Sequence, residues 1–213
     1  MKLDKSITDF YLTQQVSDYE KSHEKRFSYL IEDLLLNEIK DSTIVDAGCG
    51  YGPIFQRLPK NQNNIFIGFD GADISINFEY HKVDLSYDFF ADKLSKKVDY
   101  VFCFETLEHL TNPYHCLMEI KKLLKEDGIL YLSVPNIKTQ HNTIYPSLLY
   151  PVENFIGFLH QMAFKIISHK IHDKSFFQEV FVLENKNWNH CQMVWRKEHE
   201  NFKNIPPHTS INL

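Results

Sequence analysis

The sequence predicts an α/β protein, a mostly parallel sheet with helices on both faces and an antiparallel hairpin at its C-terminal end. Three observations carry that prediction. Ser42, Thr43 and Ile44 lead into Val-Asp-Ala-Gly-Cys-Gly-Tyr-Gly at 45–52, which reads as a buried strand ending in a glycine-rich turn. Strand-like runs at 65–70 and 98–104 then alternate with helical periodicity, as parallel strands joined by crossovers require. Two more strand-like runs, 164–171 and 176–184, follow as strands six and seven and read as the closing hairpin of such a fold.

Size and composition narrow the class. With 213 residues, 43% of them hydrophobic, the chain suits one packed domain with an added cap. A formal net charge of −5 gives no general attraction to a phosphate backbone, although Lys165, Lys170 and Lys174 could form a local basic patch. Nucleic acid is therefore a disfavoured substrate. Cys49, Cys103, Cys116 and Cys191 form no C-x-x-C pair and read as packed small hydrophobes in a reducing compartment. The absence of a long apolar run or a signal-peptide core leads us to expect a soluble, cytoplasmic protein.

Each element has its own justification. Residues 18–40 place Tyr19, Phe27, Leu30, Ile31, Leu34, Leu35 and Ile39 at helical intervals, with Glu24, Lys25, Glu32 and Asp33 between them. This amphipathic helix feeds strand one at 42–48. A short helix at 53–58 and a polar turn at 61–64 precede strand two, 65–70, which ends in Gly68-Phe69-Asp70. Asp70 lies 22 residues after Gly48, near the distance at which such sheets offer a carboxylate to a ribose. Asp before Gly is equally good turn chemistry, and both readings stand.

Only 14 residues separate Asp70 from Asp84, too few for the usual strand-helix-strand crossover. The helix between strands two and three, the latter at 78–85, is expected to be absent or vestigial. After strand four at 98–104, Thr111 or Asn112 caps a helix with Pro113 at its first position. Its buried stripe is Cys116, Leu117, Ile120, Leu123 and Leu124, and Asp127-Gly128 ends it. Strand five, 129–134, closes with Pro135-Asn136. Tyr145-Pro146 and Tyr150-Pro151 then punctuate 137–150, ahead of an apolar helix at 152–163 and strands six and seven.

The run Val45 to Gly52 resembles the first motif of class I S-adenosylmethionine-dependent methyltransferases, hydrophobic-Asp-hydrophobic-Gly-x-Gly-x-Gly. A dinucleotide-binding fingerprint would space its last two glycines further apart, and no Gly-Lys-Ser/Thr of a P-loop follows. Residues 104–136 carry Leu107-Glu108-His109, a helix, a glycine turn, a strand and Ser133-Val134-Pro135-Asn136. That order is similar to the ubiquinone-biosynthesis-like branch of small-molecule methyltransferases. The resemblance spans about residues 42–136 and implies a Rossmann-like seven-stranded sheet capped by the N-terminal helix and the insertion after strand five. It divides the chain into a helical lid (1–40), a donor-binding domain (41–186) with a substrate-facing insertion at 137–163, and a tail (187–213).

The same resemblance implies S-adenosylmethionine as methyl donor, with S-adenosylhomocysteine as product. Gly48, Cys49 and Gly50 would pass beneath its methionyl and ribose portions, and Asp46 would orient the amino end. Asp70 would take the ribose hydroxyls, Asp84 and Leu85 would frame the adenine, and Phe104 and Glu105 would approach the sulfonium and amino group. Arg26 could grip the donor carboxylate, with Tyr11 or Tyr19 closing over it, unless that helix face is simply solvated.

His109, just past strand four, is the candidate general base. The alternative is that Glu108 and His109 only organise a loop. His141 and Tyr145 are weaker candidates for acceptor contacts. Glu105, Glu108 and His109 also spell Glu-x-x-Glu-His, similar to the metal motif of small-RNA 2′-O-methyltransferases, but the acidic chain lacks an obvious RNA-binding region and Glu-x-Leu-Glu-His is common in metal-free relatives. The expected activity is methyl transfer to a hydroxyl or amine of a small polar acceptor such as a sugar or cell-envelope metabolite. A metal-dependent RNA 2′-O-methyltransferase and a non-catalytic nucleoside-binding protein are the alternatives. The tail, with Trp188 and Trp195, leaves a homodimer open.

Overall fold

A computed structural model describes residues 24, 27, 28, 30–32, 34–74, 76–135, 152–172 and 178–186. Seven strands form one sheet in the order β3-β2-β1-β4-β5-β7-β6. β1 (Thr43–Ala47), β2 (Ile65–Asp70), β3 (Glu79–Lys82), β4 (Val98–Phe104) and β5 (Leu124–Pro135) run parallel. β6 (Phe164–His172) and β7 (Gln178–Asn185) form the antiparallel hairpin, docked on β5 through β7. This is the Rossmann-like arrangement expected. Residues 24, 27, 28 and 30–32 are helical, and three further helices have defined bounds: α1 (Pro53–Arg57), α2 (Pro113–Leu123) and α3 (Val152–Gln161).

Period-two alternation divides the core into two layers. Val45, Ala47, Val101 and Cys103 face one side and pack with α2 and α3 through Leu117, Ile120, Phe155 and Leu159. Ile44 and Phe102 face the other and pack with Phe27, Leu30 and Ile31 and with Ile54 and Phe55 of α1. Asp46 shares a face with Ile44, so the strand that buries the core also buries a carboxylate at its end.

The N-terminal helix ends earlier than its periodicity suggests. Leu34 and Leu35 form a turn, Leu35 takes φ 54°, and a 3-10 turn follows at Leu36–Glu38. Leu35, expected in the buried stripe, is consequently 58% exposed, while Leu36 is fully buried. The entry to β1 is pinned by Asn64, whose side chain donates to Ile39 O (2.6 Å) and accepts from Ser42 N (3.1 Å).

Among the described residues of 71–78 no helix intervenes between β2 and β3, as the short spacing required. In its place the Tyr80 hydroxyl donates to the carbonyls of Asp70 (3.0 Å) and Ala72, strapping the crossover to the sheet. β3 stops at Lys82, three residues before the expected end, because Asp84 starts a turn. Its carboxylate accepts from Ser86 N (2.9 Å), and its own N–H donates to Asp88 (2.8 Å).

Asn112 caps α2, accepting from His115 N at 3.1 Å, and Pro113 takes the first position. The helix ends at Leu123, not at Asp127-Gly128. β5 starts at once, and the pair instead forms an irregularity in β5 opposite Val98 to Tyr100, with Asp127 at φ 64°. Buried Asn185 holds this junction, donating to Lys125 O (2.9 Å) and accepting from Lys121 Nζ (2.7 Å). No helix among the described residues is long and apolar enough to cross a membrane.

Candidate functional site

Parallel strands deliver their C-terminal ends to one edge of the sheet, and there β1, β2 and β4 lie side by side. β1 turns sharply through Gly48, Gly50 and Gly52, at φ 89°, 47° and 72°. The three glycines serve different ends. A Cβ on Gly48 would lie 2.1 Å from Thr106 Oγ1, and one on Gly52 would lie 2.4 Å from the Phe78 ring, so these two allow the loop to pack. A Cβ on Gly50 would meet nothing within 4 Å. Its bare backbone borders open space at the strand ends.

Acids surround this turn. Asp46 is 4% exposed, and burial, reinforced by the charge of Asp70, pushes its carboxyl up to about 8. Asp70, at the end of β2, accepts from Gly50 N (2.9 Å) and Ala72 N (3.0 Å), which ties the glycine loop to the crossover. Each carboxylate oxygen retains acceptor capacity beyond these bonds. Asp70 is thus a turn aspartate at the end of β2, beside the glycine loop. Cys49 is buried, its thiol held far above the usual range by burial and by the charges of Asp46 and Asp70.

The β4 side is built differently. Phe104 ends the strand, and Glu105 turns out of it with φ 49°, a left-handed conformation that a glutamate rarely takes. Glu105 Oε1 accepts from the Ser133 hydroxyl at 2.9 Å. Thr106, largely buried, returns its hydroxyl to Phe104 O at 3.1 Å and presents its side chain to Gly48. A 3-10 turn, Leu107–His109, follows, with His109 Nε2 at 3.7 Å from the buried Glu108 carboxylate. Because Glu105 turns to β5 while Glu108 lies buried, the Glu-x-x-Glu-His run does not converge. Among the described residues no three side chains of metal-ligand type gather.

Asp84 and Leu85 lie just past β3, linked to β2 through Val83 N donating to Asp70 O (2.9 Å). The Asp84 carboxylate organises its turn, and the Leu85 side chain belongs to the core. Ser86 and Tyr87 of this turn, which the sequence did not single out, bond Thr111 N (3.2 Å) and Thr111 Oγ1 (2.9 Å), fastening the β3 and β4 loops together. Arg26, Tyr11, Tyr19, His141 and Tyr145 lie outside the described residues, as do the residues of the insertion from 137 to 151 and of the tail from 187.

The missing crossover helix leaves a cleft of about 860 Å³ beside α1, lined by Tyr51, Gln56, Lys60, Asp73, Ile74 and Asn77 among others. Thr106, Ser133 and Phe78 also escaped sequence reasoning. Thr106 and Ser133 lay within recognisable motifs, and none of the three showed which glycine or acid it would meet.

Comparison with known proteins gives this geometry a context. A family model described as a methyltransferase domain matches residues 19–194. The ubiquinone biosynthesis O-methyltransferase of Glaesserella parasuis is 30% identical over 130 residues, covering 51% of this chain and 54% of the relative. The chain spans about half the length of the curated relatives it matches. Among solved structures, the N-methyltransferase NodS of Bradyrhizobium japonicum in complex with S-adenosylhomocysteine superposes with a TM-score of 0.64 at 14% identity, covering 87% of this chain and 100% of that one. Magnesium protoporphyrin IX methyltransferase from Synechocystis, with bound S-adenosylmethionine, gives 0.62 at 15% identity, covering 87% and 98%. These structures share the fold.

Proposed function

The chain belongs to the methyltransferase domain family, and on that premise we propose that it transfers a methyl group from S-adenosylmethionine to a hydroxyl or amine of a small polar acceptor. The single observation that carries this reading is the open cradle at Gly50, bare of side chain and flanked by Asp46 and Asp70. A cationic nucleoside suits such a site: main chain lies against it and carboxylates surround it. Bound there, S-adenosylmethionine supplies an electrophilic methyl carbon on a sulfonium.

The protein's own residues position and discharge. Gly50 lets the backbone approach, Gly48 lets the loop pack on Thr106 beneath it, Asp70 offers acceptors to the ribose, and Asp46 and Glu105 offer negative charge to the amino end. Arg26, from the N-terminal segment, is proposed for the donor carboxylate. The turn at Asp84 and Leu85, held by Ser86 and Thr111, is proposed as the adenine side. Fixing two reactants in line contributes up to roughly 7–11 kcal/mol in the best cases, more than one general base supplies. His109 is proposed to take the acceptor's proton, oriented by the Glu108 carboxylate 3.7 Å away. His109→Ala is then expected to lower turnover on a methylated acceptor by about 10²-fold or more. Binding of S-adenosylhomocysteine, followed by calorimetry, should stay within about twofold.

Asp46 gives a pH prediction. Its carboxyl is raised in the folded, donor-free protein, so between the ordinary carboxylate range and about 8 the folded chain holds a proton that the unfolded chain has lost. The stability from this proton is fully present below the ordinary value of 3.8 and is lost as pH rises through about 8. A cationic donor favours the ionised carboxyl. Donor affinity should therefore climb as pH rises toward 8, and binding at pH 7 should release a proton. Titrations in two buffers of different ionisation enthalpy measure that release. An equal release from Asp46→Asn would assign it elsewhere.

The activity itself is tested with methyl-labelled donor and panels of small hydroxyl and amine acceptors. Label transferred to a small molecule without added metal supports the proposal. Label transferred only to RNA in the presence of Mn²⁺ favours a metal-dependent RNA methyltransferase, and tight binding without any product favours a non-catalytic nucleoside-binding protein.

A further inference from the structure

We propose that Ser133 is a positioning residue for the donor site: it holds Glu105 in its left-handed turn and thereby seats Thr106 against Gly48. The proposal deepens the donor-binding reading above and rests on it.

The geometry joins β5 to the glycine loop in three steps. Ser133 lies opposite Phe104 in the β4–β5 ladder and is fully buried. It grips the next residue at several points. The Glu105 N–H is shared between Ser133 O (3.2 Å) and Ser133 Oγ (3.1 Å), and the hydroxyl donates its proton to Glu105 Oε1 (2.9 Å). A hydroxyl that accepts from the backbone and donates to the carboxylate of one residue fixes both its φ and its side-chain direction.

That residue needs fixing. At φ 49° an L side chain crowds its own backbone, and outside glycine the conformation persists where neighbours over-determine it. The consequence falls on Thr106. Leaving the left-handed turn, it sits with its side chain in the volume a Cβ on Gly48 would occupy, anchored by its hydroxyl to Phe104 O. If Glu105 relaxed to an extended conformation, Thr106 would swing and the β4 wall of the cradle would loosen. Alanine at 133 removes the Oγ contacts and leaves only the carbonyl.

The test is binding of S-adenosylhomocysteine by calorimetry to four proteins: the native chain, Ser133→Ala, Glu105→Gly and the double variant, each with its thermal midpoint. Glycine takes a positive φ without strain, so in the Glu105→Gly background the hydroxyl keeps only the backbone N–H bond and has no strained residue to hold. Ser133→Ala is expected to weaken binding about tenfold in the native background and no more than about twofold in the Glu105→Gly background. A role confined to strand packing would weaken both equally. Ser133→Cys, similar in size and a poor donor, carries the same expectation if the alanine variant does not fold. Native-like affinity in the position-133 variants, or losses that multiply in the double variant down to undetectable uptake, overturns the proposal. Failure of the native chain itself to bind would instead overturn the donor reading.

Discussion

Gly50→Leu should yield a folded protein that has lost the ability to take up S-adenosylhomocysteine. A Cβ added there meets nothing within 4 Å in the donor-free structure, so the first atom of the side chain enters open space. The backbone, at φ 47°, lies in the small left-handed region open to L residues at a cost of about 1–2 kcal/mol. For a chain of this size that lowers the thermal midpoint by only a few degrees, at roughly 2–4 °C per kcal/mol. The ligand's space, in contrast, is filled. The expected loss of affinity is at least about a hundredfold, equivalent to about 2.8 kcal/mol, read by calorimetry. Native affinity in this variant would mean that the donor does not pass over residue 50.

Gly48→Val should fail for the opposite reason, through stability. Its Cβ would lie 2.1, 2.5 and 2.9 Å from the Oγ1, Cγ2 and Cβ of Thr106, which is itself held by its bond to Phe104 O. Valine at φ 89° adds backbone strain that no movement of Thr106 relieves. Overpacking of about 1–3 kcal/mol and strain of about 1–3 kcal/mol combine to a midpoint lowered by roughly 10 °C in a thermal melt. Thr106→Gly in the same chain should recover the packing part and leave the strain. A Gly48→Val protein as stable as the native chain would contradict the assignment of this glycine to loop packing. The contrast with residue 50 separates a glycine that allows folding from one that allows binding.

Much of this was legible in the sequence because it follows from local chemistry. Strand alternation through Ile44, Val45 and Asp46 fixes which face each residue takes, so the burial of Asp46 follows from that of Ile44. The missing crossover helix follows from counting residues, and the cap of α2 from Asn112 and Pro113. Other features depend on contacts that a linear pattern does not encode. The run Leu34, Leu35 and Leu36 carries no polar residue to mark where the helix stops, and the left-handed turn at Leu35 exposes one leucine and buries the next. Val83 and Leu85 alternate like a strand, but the side chains of Asp84 and Asp88 satisfy backbone N–H groups as a turn instead.

The site shows the same division. Asp46, Gly48, Gly50, Asp70 and Glu105 were singled out from motif and spacing, and the fold places them at the neighbouring ends of β1, β2 and β4. Thr106 against Gly48 and Ser133 against Glu105 join neighbouring strands, and such pairs appear only once register is known. Glu105 was expected to face the donor. Its observed bond to Ser133 makes it part of a brace as well.

The central claim is that a nucleoside with a cationic amino end sits over Gly50, between the acids of β1 and β2. Calorimetric titration of the native chain with S-adenosylhomocysteine near pH 8 tests it most directly. We expect saturable binding at one site per chain that Gly50→Leu abolishes. Absence of binding by the native chain, or equal binding by the two proteins, would contradict it.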